Sequence, residues 1–193
     1  TATNVNFNTE GKFGFAGAFN GSSSRITLNN TAFALTTYSV SLWVYSSDYN
    51  TPSTALYDGG LDNAGGLWGG FSFGFSANKI YFYGGGSGGG SGFYQQTGTT
   101  TITNSNWYNV TFIVDGTSIT GYINGIQDTG LSRTTSANIV YRGNPGFHLG
   151  VRSGSFGGFG YLNGKIDQVR IFNTALSAAN VTALYNEIEC PAV

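Results

Sequence analysis

Tyr161-Leu162-Asn163-Gly164-Lys165-Ile166-Asp167-Gln168-Val169-Arg170-Ile171-Phe172-Asn173-Thr174-Ala175-Leu176-Ser177 carries the strongest structural signal in the chain. Val169 and Ile171 alternate with Gln168, Arg170 and Phe172, which is the period of a strand. Asn163-Gly164 reads as a turn dipeptide ahead of that strand. Ser177 is a good helix N-cap, and Val181, Leu184, Tyr185 and Ile188 follow at helical spacing. The stretch predicts a strand over 164–173 and a helix over 177–187.

Other segments extend the pattern in order. Phe15-Ala16-Gly17-Ala18-Phe19-Asn20-Gly21, followed by Ser24-Arg25-Ile26, reads as an opening strand and a short second one. Tyr38-Ser39-Val40-Ser41-Leu42-Trp43-Val44 alternates throughout. Trp107-Tyr108-Asn109-Val110-Thr111-Phe112 leads to Asp115-Gly116, and Gly121-Tyr122-Ile123-Asn124-Gly125 closes on a hairpin dipeptide. Phe147-His148-Leu149-Gly150 completes the set. Together with the C-terminal stretch, these segments resemble the laminin G-like, concanavalin A-like jelly-roll domain, the superfamily of lectins and glucanases. The likeness runs over about residues 13–188. It implies an all-β, concanavalin A-like jelly-roll sandwich of two antiparallel sheets with a short C-terminal helix. It implies recognition as the function without naming the ligand.

Composition agrees. The 193 residues fit one domain, 1–193, long enough to bury a core without disulfides. Glycine supplies 31 residues, 16% are aromatic and only 9% are charged, a β-rich pattern with many turns. Strands are expected near 13–19, 24–28, 38–46, 53–58, 68–75, 79–84, 107–114, 118–124, 146–151 and 164–173. The net charge of −1 gives no electrostatic basis for binding nucleic acid or an anionic membrane. No apolar run approaches the ~20 residues that span a bilayer, so no membrane insertion is expected. Cys190 is the single cysteine, in a tail, so no internal disulfide can form. The chain opens at Thr1 without a leader pattern, which reads as a processed product or an excised domain. Sequons at Asn20, Asn29, Asn109 and Asn180 are expected by chance at this composition.

Two glycine-aromatic runs stand out. Residues 84–92 read Gly-Gly-Gly-Ser-Gly-Gly-Gly-Ser-Gly between Tyr81-Phe82-Tyr83 and Phe93-Tyr94. Such a run cannot fill a core and costs backbone entropy to order. It suits a flexible edge loop, a spacer, or a tip loop that contacts a surface. Ser153-Gly154-Ser155-Phe156-Gly157-Gly158-Phe159-Gly160-Tyr161 is the second run, and both resemble the tips of some bacteriophage tail adhesins in composition. Trp43 and Trp107 sit at positions that suit packing. Trp68 lies among small residues in Asp62-Asn63-Ala64-Gly65-Gly66-Leu67-Trp68-Gly69-Gly70. Trp68, Tyr81, Tyr83 and Tyr94 are the candidate ligand platform, because sugar rings stack on aromatic planes while their hydroxyls take polar partners. The same residues also suit a core stripe.

Catalytic groups are scarce. His148 is the one histidine and reads as a strand residue, which leaves no serine or cysteine triad. Glutamate occurs only at Glu10, Glu187 and Glu189, so the paired carboxylates of a glycosidase are missing except for an Asp pair such as Asp58 and Asp62. One histidine and one cysteine argue against zinc. Calcium is the metal that oxygen-rich turns could hold, and the resemblance implies it, since relatives often carry one. Asp167 with Asn20 of the opening strand is one candidate site, and Asp58 with Asp62 is the other. Asp167 suits equally a cap on loop amides or an ion pair, and Asp58 and Asp62 suit turn formation.

The sequence therefore points to a non-catalytic recognition or adhesion module. Its expected partner is a glycan or a glycan-bearing surface, within a larger extracellular, cell-surface or virion protein. The alternative is a structural protein that decorates or cements a viral capsid, tail or fibre alongside other subunits. A glycan-active enzyme is the third reading.

Overall fold

The computed structural model describes residues 1–28, 35–58, 70–85, 93–134, 147–151 and 160–188. In chain order its strands are β1 Ala2–Thr3, β2 Asn6–Glu10, β3 Phe15–Asn20, β4 Arg25–Leu28, β5 Thr37–Ser46, β6 Ser53–Asp58 and β7 Gly70–Ser76. β8 Lys79–Gly85, β9 Phe93–Thr97, β10 Asn106–Asp115, β11 Ser118–Ile123, β12 Ile126–Thr134, β13 Phe147–Leu149 and β14 Asn163–Phe172 follow, and α1 Ala178–Tyr185 is the helix. They form two seven-stranded sheets, ordered β1-β4-β13-β6-β7-β8-β9 and β12-β11-β10-β5-β14-β3-β2. Every pairing between the named strands is antiparallel.

Alternation places the core between the sheets. In β5, Tyr38, Val40, Leu42 and Val44 face inward, and in β10 Val110, Phe112 and Val114 do the same. Phe73, Phe75, Ile80, Phe82, Leu56, Phe147 and Leu149 answer from the first sheet. Each such side chain, fully buried, contributes roughly 1.5–3 kcal/mol by leaving water. Asn124 and Gly125, with φ of 51° and 78°, join β11 to β12 in the two-residue hairpin that Asn-Gly favours.

β14 departs from the expected alternation. Asp167 pairs with Trp43 and Arg170 with Ser41, so Gln168 and Val169 together oppose Leu42. Gln168 takes φ of 48°, the left-handed conformation that such a bulge needs. The extra residue lets Ile166, Val169 and Ile171 all pack against the core. Asn163-Gly164 is not a turn ahead of this strand. Both residues are paired within it, to Asn20 and Phe19. A Cβ at Gly164 would lie 2.1 Å from the Tyr45 carbonyl oxygen, so close strand approach explains the glycine.

Ser177 caps α1 as expected, and Asn180 completes a capping box with it. The helix covers part of the second sheet's outer face, where Val181 packs with Ile113 and Tyr122. Tyr185 stacks on Trp43 with ring centroids 5.7 Å apart. Ile188 lies past the helix end and is 87% exposed, so it is not part of the expected apolar stripe. No helix among the described residues is long and apolar enough to cross a membrane.

Candidate functional site

The first sheet presents a polar and aromatic layer on the face turned away from the core. Register sets one row across it: Thr27, His148, Tyr57, Ser72, Tyr83 and Gln95. A second row runs Thr54, Gly74, Tyr81 and Thr97. The period-2 pattern produces both, because Phe73, Phe75, Ile80 and Phe82 take the opposite face.

Tyr81 and Tyr83 share this face, ring against ring, with centroids 5.0 Å apart and planes at 75°. The Tyr81 hydroxyl donates to the Ser53 carbonyl at 2.9 Å and lies 3.3 Å from Thr54 Oγ1. Its ring lies over Gly74, where a Cβ would come within 2.5 Å of the hydroxyl. Thr27 Oγ1 sits 3.1 Å from His148 Nδ1. Both tyrosines are buried, as are Thr54, Ser72 and His148, whereas Gln95 and Thr97 on edge strand β9 are exposed. The expected open platform at Tyr81 and Tyr83 is corrected to a covered layer that reaches solvent at its β9 edge. Ser72 Oγ is fully buried and has no hydrogen-bond partner among the described residues, an arrangement that costs about 1–3 kcal/mol until a partner arrives.

Tyr94 occupies β9 opposite Gly84, one register step out of phase with Tyr83 and its partner Gln95. The expectation that Tyr94 shares a face with Tyr81 and Tyr83 is therefore corrected by the ladder. The side chains of Tyr94 and Asp58 lie outside the described residues, although β9 and β6 place their backbones. Trp68, Asp62, Cys190 and most of both glycine-aromatic runs also lie outside them. Sequence reading passed over Ser72, Thr54 and His148 as site residues. For Ser72 the signal was the alternation in Gly70-Phe71-Ser72-Phe73-Gly74-Phe75-Ser76, which interleaves small residues with phenylalanines.

Asp167 and Asn20 do not come together. Asn20 pairs with Asn163, four residues from Asp167 along β14, or about 13 Å at strand rise. Asp167 Oδ2 accepts the Lys12 and Phe13 N–H groups, each at 2.9 Å, and Oδ1 accepts Gln168 N–H at 2.7 Å. Asn20 Oδ1 accepts from the Ser22, Ser23 and Ser24 N–H groups. Oxygens aimed at N–H donors are not set to coordinate a cation, so this pair does not fit calcium. Asp167 instead fastens the β2–β3 turn to β14. Gly11 permits it, because a Cβ there would lie 2.6 Å from Oδ2. No cluster of three or more metal-ligating side chains exists among the described residues.

Asp128 is the electrostatic anchor that sequence reading missed. It is 2% exposed. It accepts N–H bonds from Thr99, Thr100 and Gly130 at 2.8–2.9 Å and the Thr99 hydroxyl at 3.0 Å. Burial alone would raise its pKa. The donors of Thr99 and Thr100 outweigh that and hold it at about 2, below the ordinary 3.8. The bonds tie β12, an edge of the second sheet, to the segment that leaves β9 at the edge of the first.

Two seven-stranded antiparallel sheets packed over one core, with a helix on one outer face, define the jelly-roll sandwich class. The chain belongs to the concanavalin A-like lectin/glucanases superfamily, whose family model matches residues 20–182. No curated protein matches it in sequence. Among solved structures, it is similar to domain 4 of AbnA, an extracellular GH43 arabinanase of Geobacillus stearothermophilus, in complex with arabinotriose. That match has 27% identity and a TM-score of 0.70, and covers 96% of this chain and 82% of the other. It is also similar to the CBM40 of the Ruminococcus gnavus IT-sialidase bound to α2,3-sialyllactose. There the identity is 14% and the TM-score 0.71, over 88% of this chain and 94% of the other. The receptor-binding domain of botulinum neurotoxin C/D mosaic serotype matches at 15% identity and TM-score 0.69, over 95% of this chain and 45% of that domain.

Proposed function

We propose that the chain is a non-catalytic carbohydrate-recognition module of an extracellular or cell-surface protein. The observation that carries this reading is the outer layer of the first sheet. There Tyr81 and Tyr83 lie beside the hydroxyls of Thr54 and Ser72 and the imidazole of His148. Aromatic faces with interleaved hydroxyls suit a sugar, whose ring carries an apolar face and a polar rim. The likeness to an arabinanase domain recorded with arabinotriose supports the same class of ligand. Trp68, the sequence's candidate stacking residue, falls between β6 and β7 in chain order. Tyr81 and Tyr83 are covered, so a sugar engages this layer from its β9 edge, where Gln95 and Thr97 are exposed. Intrinsic affinity at one such edge is low, and multivalent display raises it.

The test is a broad glycan array with the purified chain, with and without a calcium chelator. Saturable binding to one sugar class, weakened by roughly tenfold or more in Trp68→Ala, is the expected result. Chelator-sensitive binding would place a calcium ion at or beneath the site, with Asp58 and Asp62 the ligands to substitute next. Chelator-insensitive binding would remove calcium from the mechanism. A blank array with folded protein would sink the reading and favour the structural role in a virion or cell-surface assembly. Phe7 and Phe15, 51% and 74% exposed on β2 and β3 at the edge of the second sheet, would then be the surface to follow.

A further inference from the structure

The second sheet's outer face is covered at one end and open at the other. Tyr185 and Lys12 lie over Trp43, which is 4% exposed, with the Lys12 ammonium 4.6 Å from its ring. Two residues further along β5, on the same face, Tyr45 is half-buried. Register puts Trp107 of β10 on one side of it and Lys165 of β14 on the other. The Tyr45 and Trp107 centroids are 5.5 Å apart with planes tilted at 48°. The row spans about 10 Å at strand spacing.

Lys165 is held in place. Its Nζ donates to the Glu10 main-chain carbonyl at 3.0 Å and sits 5.3 Å from the Tyr45 ring centroid. The ion pair between Arg170 and Glu187 does not involve it, and no carboxylate of the described residues is in salt-bridge contact with its ammonium. Asn163, two residues before it and pointing the same way, is exposed, and its side chain has no hydrogen bond among the described residues. The Trp107 indole N–H and the Tyr45 hydroxyl likewise carry no recorded protein partner.

We propose that this open end, Trp107, Tyr45, Lys165 and Asn163, is a second sugar-contact site, and that it takes a carboxylate-bearing sugar. The aromatic pair supplies the stacking surface. The positioned ammonium supplies a charge-assisted hydrogen bond to the sugar carboxylate, with little ordering left to do. The Asn163 amide reaches neighbouring hydroxyls. The site lies on the opposite sheet from the layer around Tyr81 and Tyr83, and does not depend on it. A chain with both sites bridges two glycans as a monomer.

The experiment uses the full chain carrying Trp68→Phe, in which Trp43 and Trp107 remain as fluorophores and only Trp107 is half-exposed. Sialyllactose and short oligogalacturonates are titrated, with lactose and uncharged galacto-oligosaccharides of equal length as controls. The expected result is a saturable change in emission with an acidic probe and none with the neutral controls. Lys165→Gln weakens that binding by roughly tenfold, and Tyr45→Ser does so too, with unchanged near-UV circular dichroism. No change with either acidic probe, an equal change with the neutral sugars, or a titration indifferent to Lys165→Gln and Tyr45→Ser would each overturn the proposal. Array binding that depends on Trp68 and survives both substitutions keeps the first-sheet reading separate from this one.

Discussion

Asp128→Ala lowers the unfolding free energy by about 3 kcal/mol, read as a shift of the urea midpoint at neutral pH. The variant strips acceptors from the Thr99, Thr100 and Gly130 N–H groups at once. It also releases the edge of one sheet from the edge of the other. Asp128→Asn keeps the shape but replaces one charged oxygen by a donor that faces other donors, so it recovers only part of the loss. The carboxylate's depressed pKa adds a pH signature. The group is held at about 2 when folded and is near 3.8 otherwise. Its contribution is therefore complete above pH ~4 and is lost as the pH falls toward ~2, a change of about 2 kcal/mol. Stability of the parent should fall through that window more steeply than stability of Asp128→Asn. Equal slopes would show that the carboxylate is not held as described.

Asp167→Ala costs about 2 kcal/mol and loosens the turn between β2 and β3. Lys12 and Phe13 lose their shared acceptor, and Gln168 loses the bond that supports its left-handed backbone. Hydrogen exchange should rise at the amides of residues 11–15 and 167–169, with β10 and β11 unaffected. Calcium should not change the melting temperature through this residue, in parent or variant. A calcium-dependent stabilisation that disappears in Asp167→Ala would contradict the geometry.

Legibility varied with the physics of each element. β5 and β10 showed in the sequence because Tyr38, Val40 and Leu42 alternate with Ser39 and Ser41, and Val110 and Phe112 with Asn109 and Thr111; β14 showed because Val169 and Ile171 flank Arg170. The Ser177 cap showed because an N-cap is a local device that needs no tertiary context. β2, read from Asn6-Phe7-Asn8-Thr9-Glu10, was missed because an exposed edge strand needs little apolar patterning. β12 was missed because a buried Asp128 and Gly130 break its alternation. β9 was hidden by the adjacent glycine run, and two-residue β1 is too short to carry a pattern.

The site was legible in residue type more than in direction. The Tyr81 and Tyr83 spacing correctly put both on one face, and nothing local says that the face is covered. Asp167 and Asn20 carry oxygens that suit a cation or backbone amides equally. Only the register, which places Asn163 and not Asp167 opposite Asn20, separates the two. Asp128 left no motif, because all but one of its donors are backbone N–H groups, whose placement no residue type marks.

The bulge in β14 gives that strand a reading frame. Ile166 is in phase before it, and Val169 and Ile171 are in phase after it, because the bulge absorbs one residue beyond the regular count. Deleting Gln168 would leave Val169 opposite Leu42, Arg170 opposite Ser41 and Ile171 opposite Val40, so the bulge would close and no side chain would change face. A deletion in the evenly paired β10 has no such slack, and turns over every residue beyond it. A one-residue deletion at Gln168 should therefore be far better tolerated than one at Thr111. Gln168 is the strand's spare length.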